Sequence, residues 1–218
     1  MNRNVMIAVI VVVVIAIGGV GTYFVMQQNR NDDKGNSEVQ QDSADASVFS
    51  PASTLGRDFK ATIEAEGQDA ITSFSYDVDS NSVYYRILTG DKTIESIITP
   101  DAFFSLIDDA WIKYPATQAQ IGGFNPDDYQ YKDEQLRDYK SNVKYVGKRS
   151  CSEGKCDVWT ADTPTSKSTF YVSTRDNYII KVETEVDEKT TTISYEYKEV
   201  EVAAPAGATE LPDFRSSL

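Results

Sequence analysis

The sequence predicts a mainly β domain that is preceded by one transmembrane helix. Three observations support this prediction: a long apolar run near the amino terminus, recurrent alternation of apolar and polar residues over residues 57–205, and turn-forming residues between the alternating stretches. The alternation accounts for about eleven short strands, with room for one short helix. Many short strands at regular spacing are typical of a sandwich or a barrel-like sheet.

The apolar run covers residues 5–26 and is interrupted only by three glycines and Thr22. At about 1.5 Å per residue, a helix of this length spans roughly 33 Å, which is enough to cross a bilayer core of about 30 Å. The run is longer than the apolar core of a cleaved signal peptide, and no small-residue cleavage pattern follows it. We therefore predict an uncleaved signal anchor, with residues 1–4 in the cytoplasm.

The orientation of this anchor depends on the two cysteines, because the positive charges on either side of the run nearly balance. Cys151 and Cys156 are separated by four residues on a predicted hairpin, which suits a structural disulfide in an oxidising compartment. A redox-active pair is the alternative, but the C-x-x-C spacing is absent. The sequence thus predicts a single-pass protein of the cell membrane whose C-terminal domain is extracytoplasmic.

Residues 27–56 have a different composition from the segments on either side. They are rich in Asn, Asp, Ser, Gln and Ala, and they contain no aromatic residue before Phe49. Such a segment buries too little apolar surface to offset the entropy of the chain, so we predict a disordered linker. At the other end of the domain, Pro205 and Pro212 predict an irregular tail over residues 206–218.

The first half of the domain predicts an antiparallel meander. Turns are expected at Asp79-Ser80-Asn81, at Gly90-Asp91 and at Asp108-Asp109, where residues that tolerate turn conformations cluster. Pro115 ends the last strand of this half. The alternating stretches between these turns predict strands near residues 59–63, 74–78, 83–87, 94–99, 103–107 and 111–114.

A short helix is predicted after the break at Gly122-Gly123. Asn125 can cap it, Pro126 suits its first position, and Arg137 and Lys140 suit its last turn. This helix is either a lid or a surface connection, and the connection is favoured because few apolar residues anchor it. Strands then resume near residues 143–151, 156–161, 169–174, 178–186 and 193–202.

Composition excludes several classes of chemistry. The chain carries a net charge of −13 and contains no histidine. Without histidine there is no Ser-His-Asp or Cys-His catalysis and no imidazole-dependent metal site, and the acidity argues against nucleic-acid binding. Asp77, Asp79 and Asn81 have the spacing of a calcium loop, but Ser82 and Leu88 occupy positions that such a loop gives to Gly and Glu. A β-turn is favoured there, and neither an enzyme, a metal nor a cofactor is predicted.

The second half of the chain carries a resemblance to a known family. The Cys151–Cys156 hairpin, the strands after it and the ending at Pro205 resemble the LolA/LppX-like superfamily of lipoprotein carriers, and Trp111-Ile-Lys-Tyr-Pro is similar to hairpins of its bacterial cell-surface members. The resemblance implies a curved antiparallel half-barrel sheet whose concave face is covered by helices and binds acyl chains or lipoproteins. The chain departs from the family because it lacks the long helix before the first strand and has a protein anchor.

Together these observations predict a membrane-tethered extracytoplasmic domain that binds a lipid or another apolar ligand. The abundance of aromatic residues allows an amphipathic groove, although ordinary core packing explains the same residues. The alternative function is a structural, interaction or sensory domain of the envelope without a ligand pocket. The residues predicted to form the groove walls are Phe103, Trp111, Phe124 and Leu136.

Overall fold

The computed structural model of the protein describes residues 48–115, 129–140 and 142–210. The predicted anchor and Phe124 lie outside these residues, so the anchor stays a prediction. Within the described ranges, no helix is both long and apolar enough to span a bilayer.

The chain divides into two compact units. One unit contributes only the buried Tyr129 to the described residues. The other unit holds every strand and the helix described below. The first unit comprises residues 1–46 and 120–129, and the second comprises residues 47–119 and 130–218.

The second unit consists of twelve strands and one short helix in the described part of the chain, which confirms the mainly β prediction. The strands are β1 (Phe59–Ala65), β2 (Ala70–Asp77), β3 (Ser82–Thr89), β4 (Lys92–Ile98), β5 (Ala102–Ile107), β6 (Ala110–Pro115), β7 (Val143–Cys151), β8 (Gly154–Asp162), β9 (Lys167–Ser173), β10 (Ile179–Val186), β11 (Lys189–Glu196) and β12 (Thr209–Glu210). The helix, α1, covers Asp133–Lys140.

All twelve strands belong to one open, curved sheet, in the order β12-β6-β5-β4-β3-β2-β1-β11-β10-β9-β8-β7. Strands β1 to β6 form one antiparallel meander and β7 to β11 form a second, and the pairing of β1 with β11 joins them. Only β12 runs parallel to its neighbour, β6. The sandwich that strand spacing alone also allowed is therefore not formed.

Local backbone preferences explain the hairpins. The β5–β6 turn places Asp108 and Asp109 at φ 49° and 64°, and the β10–β11 turn places Asp187 and Glu188 at 48° and 62°. Two successive residues with positive φ match the right-handed twist of the strands they connect, which makes such turns the favoured two-residue hairpin loops. These turns set the register of each hairpin.

One face of the sheet is lined by aromatic and branched side chains, and we call it the aromatic face. Directly opposed residues share a face, so a line of cross-strand partners can be followed over the sheet. Over the first meander the line comprises Phe59, Tyr76, Val83, Ile98, Phe103 and Tyr114. Over the second it comprises Ile63, Ile193, Val182, Phe170, Trp159 and Tyr145.

The opposite face is partly covered by residues 199–208, which we call the C-terminal clasp. The clasp packs Val200 and Val202 against Ile97, Ala102 and Phe104, and all five side chains are buried. After the clasp the chain pairs as β12 with β6, and Lys113 is bonded to Glu210 at 2.6 Å. The predicted irregular tail therefore includes a short strand at its start.

Residues 48–56 differ from the predicted disordered linker, because they pack on the sheet. Phe49 is buried, and its ring centroid lies 5.4 Å from that of Trp159. The backbone N–H of Ala52 donates to the carbonyl of Asn177 (2.7 Å), and that of Thr54 to the carbonyl of Tyr131 (3.0 Å). A single buried aromatic ring and these hydrogen bonds hold a segment whose composition alone predicts disorder.

Helix α1 lies over the second meander. The backbone N–H of Lys132 donates to the side chain of Gln135 (3.0 Å), which is half of a capping box. Tyr139 places its ring centroid 5.0 Å from that of Phe170, on β9. Arg137 and Lys140 occupy the last turn as predicted, but the helix begins at Asp133; the predicted cap Asn125 and first position Pro126 lie outside the described residues.

Candidate functional site

The structure separates the residues that the sequence predicts as the walls of one groove. Phe103 lies on the aromatic face, opposite Tyr114, with the two ring centroids 5.5 Å apart. Trp111 is opposed to Leu106 and packs against the cluster that contains Phe104, so it lies on the other face. The predicted groove therefore requires correction, because one groove on one face of a sheet cannot include both Phe103 and Trp111.

Leu136 is buried on α1, which contacts β9 through Tyr139. Strand β9 is seven strands away from the β5 strand that carries Phe103. With neighbouring strands about 4.8 Å apart, this separation is roughly 34 Å along the sheet. Leu136, on the helix that contacts β9, and Phe103, on β5, therefore lie over different parts of the sheet. Phe124 lies outside the described residues.

The region over the second meander is filled by the protein itself. Phe49 packs edge-on against Trp159 and Phe170, at centroid distances of 5.4 and 5.8 Å. Tyr131 packs 5.8 Å from Tyr195, and their hydroxyl oxygens are 3.4 Å apart. Burial raises the pKa of Tyr131 well above its ordinary value, and Tyr195 adds to the shift. This half of the face is a packed core.

The region over β3, β5 and β6 is the candidate binding surface, and we call it the tyrosine region. It presents Tyr85, Ile87, Phe103 and Tyr114, all less than one-tenth exposed. The hydroxyl of Tyr114 is buried and has no hydrogen-bond partner among the described residues. Burial also raises the pKa of Tyr114, which therefore stays a neutral donor at ordinary pH.

A buried hydroxyl without a partner costs about 1–3 kcal/mol, and native proteins rarely leave one unpaired. At Tyr114 the cost is borne next to Phe103, in apolar surroundings. The arrangement combines buried aromatic side chains with one unused donor. It is the chemistry that suits the carbonyl or carboxyl end of an amphiphile.

Tyr114 and Tyr85 are among the aromatic residues that the sequence allows to line a groove, but they are not among its predicted walls, although a signal was present. A two-residue turn at Asp108-Asp109 sets Phe103 directly opposite Tyr114, and it sets Trp111 opposite Leu106. Following this register from Phe103 leads to Tyr114 and away from Trp111. Tyr85 is reached in the same way, through its partner Phe74 on β2.

A cavity lies at one end of the sheet, outside the tyrosine region, and has a different character. It is an open cleft of about 610 Å³. Charged side chains line it, and several are already paired: Arg175 bonds Asp176 and Glu153, and the Arg57 guanidinium lies 4.8 Å from the ring centroid of Tyr178. Such a cleft does not suit a hydrocarbon chain.

Two aspartates hold the C-terminal clasp to the sheet. The Asp58 carboxylate accepts from the backbone N–H groups of Val78 (2.9 Å) and Val200 (3.0 Å). Asp77 accepts from those of Ser80 and Val202, each at 3.1 Å. Both carboxylates thus connect the clasp to the β2–β3 side of the sheet. The chain forms a β-turn directly after Asp77, where the backbone N–H of Asn81 donates to the carbonyl of Val78 (3.2 Å). Within the described ranges, no group of three or more acidic or cysteine residues is arranged as a metal site.

Acid should loosen the clasp at Asp77. Burial opposes ionisation of Asp77, but the backbone N–H groups of Val202 and Ser80 outweigh it and hold its pKa below the ordinary value. A lowered pKa stabilises the fold above about pH 4, and this contribution is lost as the pH falls through the folded-state pKa. We expect Asp77→Asn to lower the free energy of unfolding by about 1–2 kcal/mol at neutral pH, with the difference shrinking below about pH 4.

Urea unfolding of both proteins across this pH range measures the effect. Asp79→Asn is the matched control, because Asp79 is exposed in the same turn. A deficit in Asp77→Asn that stays constant down to about pH 2 would contradict the assignment.

The predicted disulfide is present. Cys151, at the end of β7, is bonded to Cys156 on β8, with their Cα atoms 6.0 Å apart. Cys156 is fully buried in a cluster with Val158, Tyr171 and Ile180. The bridge therefore cross-links the β7–β8 hairpin and has one end in this buried cluster.

Comparison with known proteins finds similarity only in structure. No family model matches the chain, and no curated protein sequence matches it significantly. Among solved structures, LppX from Mycobacterium tuberculosis matches with 8% identity over 67% of this chain and 90% of LppX, at a TM-score of 0.47. LprF from Mycobacterium bovis matches with 10% identity over 70% of this chain and 90% of LprF, at a TM-score of 0.49.

An outer membrane lipoprotein-sorting protein domain from Vibrio parahaemolyticus also matches. Its identity is 9%, over 66% of this chain and 86% of that domain, and the TM-score is 0.25. At these identities a likeness concerns the fold and carries no residue assignment. The solved structures that are similar to this chain thus include LppX, LprF and a lipoprotein-sorting domain.

Proposed function

We propose that this protein is a membrane-tethered, extracytoplasmic domain that holds a lipid or another apolar ligand against the tyrosine region. The observation that carries the proposal is the buried Tyr114 hydroxyl, which has no partner among the described residues. A ligand with a hydrocarbon chain and one polar end would cover the aromatic surface and satisfy this donor. The function is binding, and no catalytic step is proposed.

Energetics favour an acyl chain as the ligand. Each methylene taken out of water contributes about 0.8 kcal/mol, so a modest length of chain along Phe103, Ile87 and Tyr85 supplies useful affinity. A hydrogen bond from Tyr114 would orient the polar end. Because burial keeps this phenol neutral, it can donate to a carboxylate or to an ester carbonyl.

Two features of the chain support the proposed location of this binding. The apolar run at residues 5–26 would anchor the chain, and residues 27–47 would tether the domain near the bilayer. The Cys151–Cys156 disulfide supports an oxidising, extracytoplasmic compartment. A tethered domain can present or withdraw a lipid at its own membrane.

An interaction domain without a ligand is the second candidate function. It is favoured by the second meander, where Phe49 and Tyr139 already fill the aromatic face. If the tyrosine region is filled by the protein in the same way, nothing remains for a ligand to cover. The experiment below separates the two functions.

The test uses tryptophan quenching by a brominated fatty acid, with the full chain in detergent micelles. In F103W/W111F/W159F the only indole lies in the tyrosine region, and in W159F the only indole is the native Trp111 on the opposite face. We expect dibromostearate to quench the indole introduced at position 103, and stearate to leave it unquenched. Trp111 should be quenched much less than the indole at position 103, because it lies on the opposite face. A little quenching of Trp111 is expected, since it is only partly buried and micelles can reach it.

Tyrosine-to-phenylalanine substitutions, added to each of the two single-tryptophan proteins, test the role of the Tyr114 hydroxyl. Tyr114→Phe should weaken binding by about 5–10-fold, and it should stabilise the ligand-free protein by about 1 kcal/mol because an unpaired hydroxyl is removed. Tyr84→Phe is the matched control, because Tyr84 packs on the opposite face and should not alter binding. Equal quenching of both indoles, or none at position 103, would reject the ligand and leave the interaction domain as the better account.

A further inference from the structure

The two edges of the sheet differ in their strand pairing. At one edge, β12 pairs with β6, and the Lys113–Glu210 ion pair reinforces it. At the other edge lies β7, a strand of nine residues whose only neighbour in the described part of the sheet is β8. Alternate backbone N–H and carbonyl groups of β7 therefore point away from the sheet.

Strand β7 is basic in an acidic protein. It contains Lys144, Lys148 and Arg149, all exposed, and no acidic residue, whereas the whole chain has a net charge of −13. Cations on an edge strand prevent pairing between identical edges, because two copies of β7 would place like charges together. The same cations attract a strand of opposite charge.

The edge is also rigid before any partner arrives. At one end, Tyr145 donates its hydroxyl to Asp157 (2.9 Å), and its ring centroid lies 4.9 Å from that of Trp159. At the other end, the disulfide fixes Cys151 to β8. A strand held at both ends loses little conformational entropy when another strand adds to it, which favours association.

A bulge between Tyr145 and Gly147 divides the edge, and Gly147 takes φ 137°, a conformation that side chains disfavour. Beyond the bulge, residues 147–151 pair regularly with β8. Val146, at the bulge, is 49% exposed and offers an apolar contact. Residues 146–151, which we call the basic edge, thus combine free backbone groups, one apolar side chain and two cations.

We propose that the basic edge binds an extended acidic segment of a partner protein, which adds to the sheet as a further strand beside β7. Backbone hydrogen bonds would supply affinity without regard to sequence, as in other cases of strand addition. Lys148 and Arg149 would select carboxylates, and Val146 would contact an apolar residue of the partner. This surface is distinct from the tyrosine region, and its occupancy does not depend on a lipid.

The charges of the protein favour an acidic partner at this edge. The net negative charge of the chain repels acidic peptides in general, so a local group of cations such as the basic edge must supply the attraction. The attraction is between exposed groups and must weaken as salt screens it. A basic or neutral peptide would gain the backbone hydrogen bonds but not the carboxylate contacts.

The test measures binding of a fluorescein-labelled nine-residue peptide of glutamate, valine and threonine with glutamates at both odd and even positions, using the full chain and fluorescence anisotropy, because Lys148 and Arg149 lie on opposite faces of β7. We expect binding that weakens with salt, together with slowed amide hydrogen exchange over residues 146–151. The same peptide with lysine in place of glutamate should bind at least about tenfold more weakly. So should a version N-methylated at alternate residues on its pairing edge, which cannot form the ladder.

Matched variants locate the site. Lys148→Glu with Arg149→Glu should weaken binding about tenfold, whereas Lys92→Glu with Lys189→Glu, which reverses two exposed charges at other hairpins, should not. The proposal fails if the N-methylated peptide binds as well as its parent peptide, or if both double variants lose the same amount of peptide affinity. It also fails if the free protein is a dimer that protects residues 146–151, or if vesicles with phosphatidylserine protect these residues while the peptide does not.

Discussion

Phe59→Ala is expected to lower the free energy of unfolding by about 3–5 kcal/mol, the largest effect of any single truncation considered. Phe59 is 1% exposed and lies at the start of β1, the strand that joins the two meanders. Its ring centroid is 5.6 Å from that of Phe74, 5.7 Å from Tyr76 and 6.2 Å from Tyr195. Removing it would leave a cavity that contacts both halves of the sheet.

Chemical denaturation followed by circular dichroism measures this effect. Phe59→Leu should lower the free energy of unfolding less, since leucine keeps most of the side-chain volume. Leu88→Ala is the matched surface control, because Leu88 is 38% exposed on β3. A loss for Phe59→Ala no larger than that for Leu88→Ala would show that the junction between the meanders does not depend on this ring.

Phe49→Ala is the second large expected effect, with a loss of about 2–4 kcal/mol. Phe49 is 3% exposed and packs edge-on against Trp159 and Phe170. The result matters because composition places Phe49 in a disordered linker, and a linker residue would tolerate this substitution. Thermal unfolding in the presence and absence of the change provides the measurement.

Val48→Ala is the neighbouring control, because Val48 is 64% exposed. The aromatic signal of Trp159 should change in Phe49→Ala and stay unchanged in Val48→Ala. If both variants unfold at the same temperature as the parent protein, the folded domain begins after residue 56, as the composition predicts.

Much of the fold could be predicted because period-two alternation is a local signal. In β10, Ile180, Val182 and Thr184 are buried, while Lys181 and Glu183 are more exposed. Strands β1 to β11, the hairpin turns and the disulfide follow from such local patterns, whereas β12, the twelfth strand, was not predicted. Whether the strands form one sheet or two does not, because pairing between β1 and β11 depends on residues far apart in sequence.

The candidate site shows the same limit on a smaller scale. Phe103 and Trp111 are both aromatic residues of one predicted hairpin, and composition favours both as groove walls. The register of the turn at Asp108-Asp109 places them on opposite faces, which composition cannot reveal. Residues 48–56 could not be placed at all, because their partners Trp159 and Tyr131 are distant in sequence.

The pairing of β1 with β11 also determines the order in which the sheet can be completed. Within each meander, neighbouring strands are linked by short connections and can pair as soon as they are synthesised. Strand β1 must wait, because Ile63 pairs with Ile193, near the end of the domain. A growing chain therefore exposes the β1 edge until β11 has been synthesised. Any chain truncated before β11 keeps this edge unpaired within the sheet, and an unpaired strand edge favours aggregation.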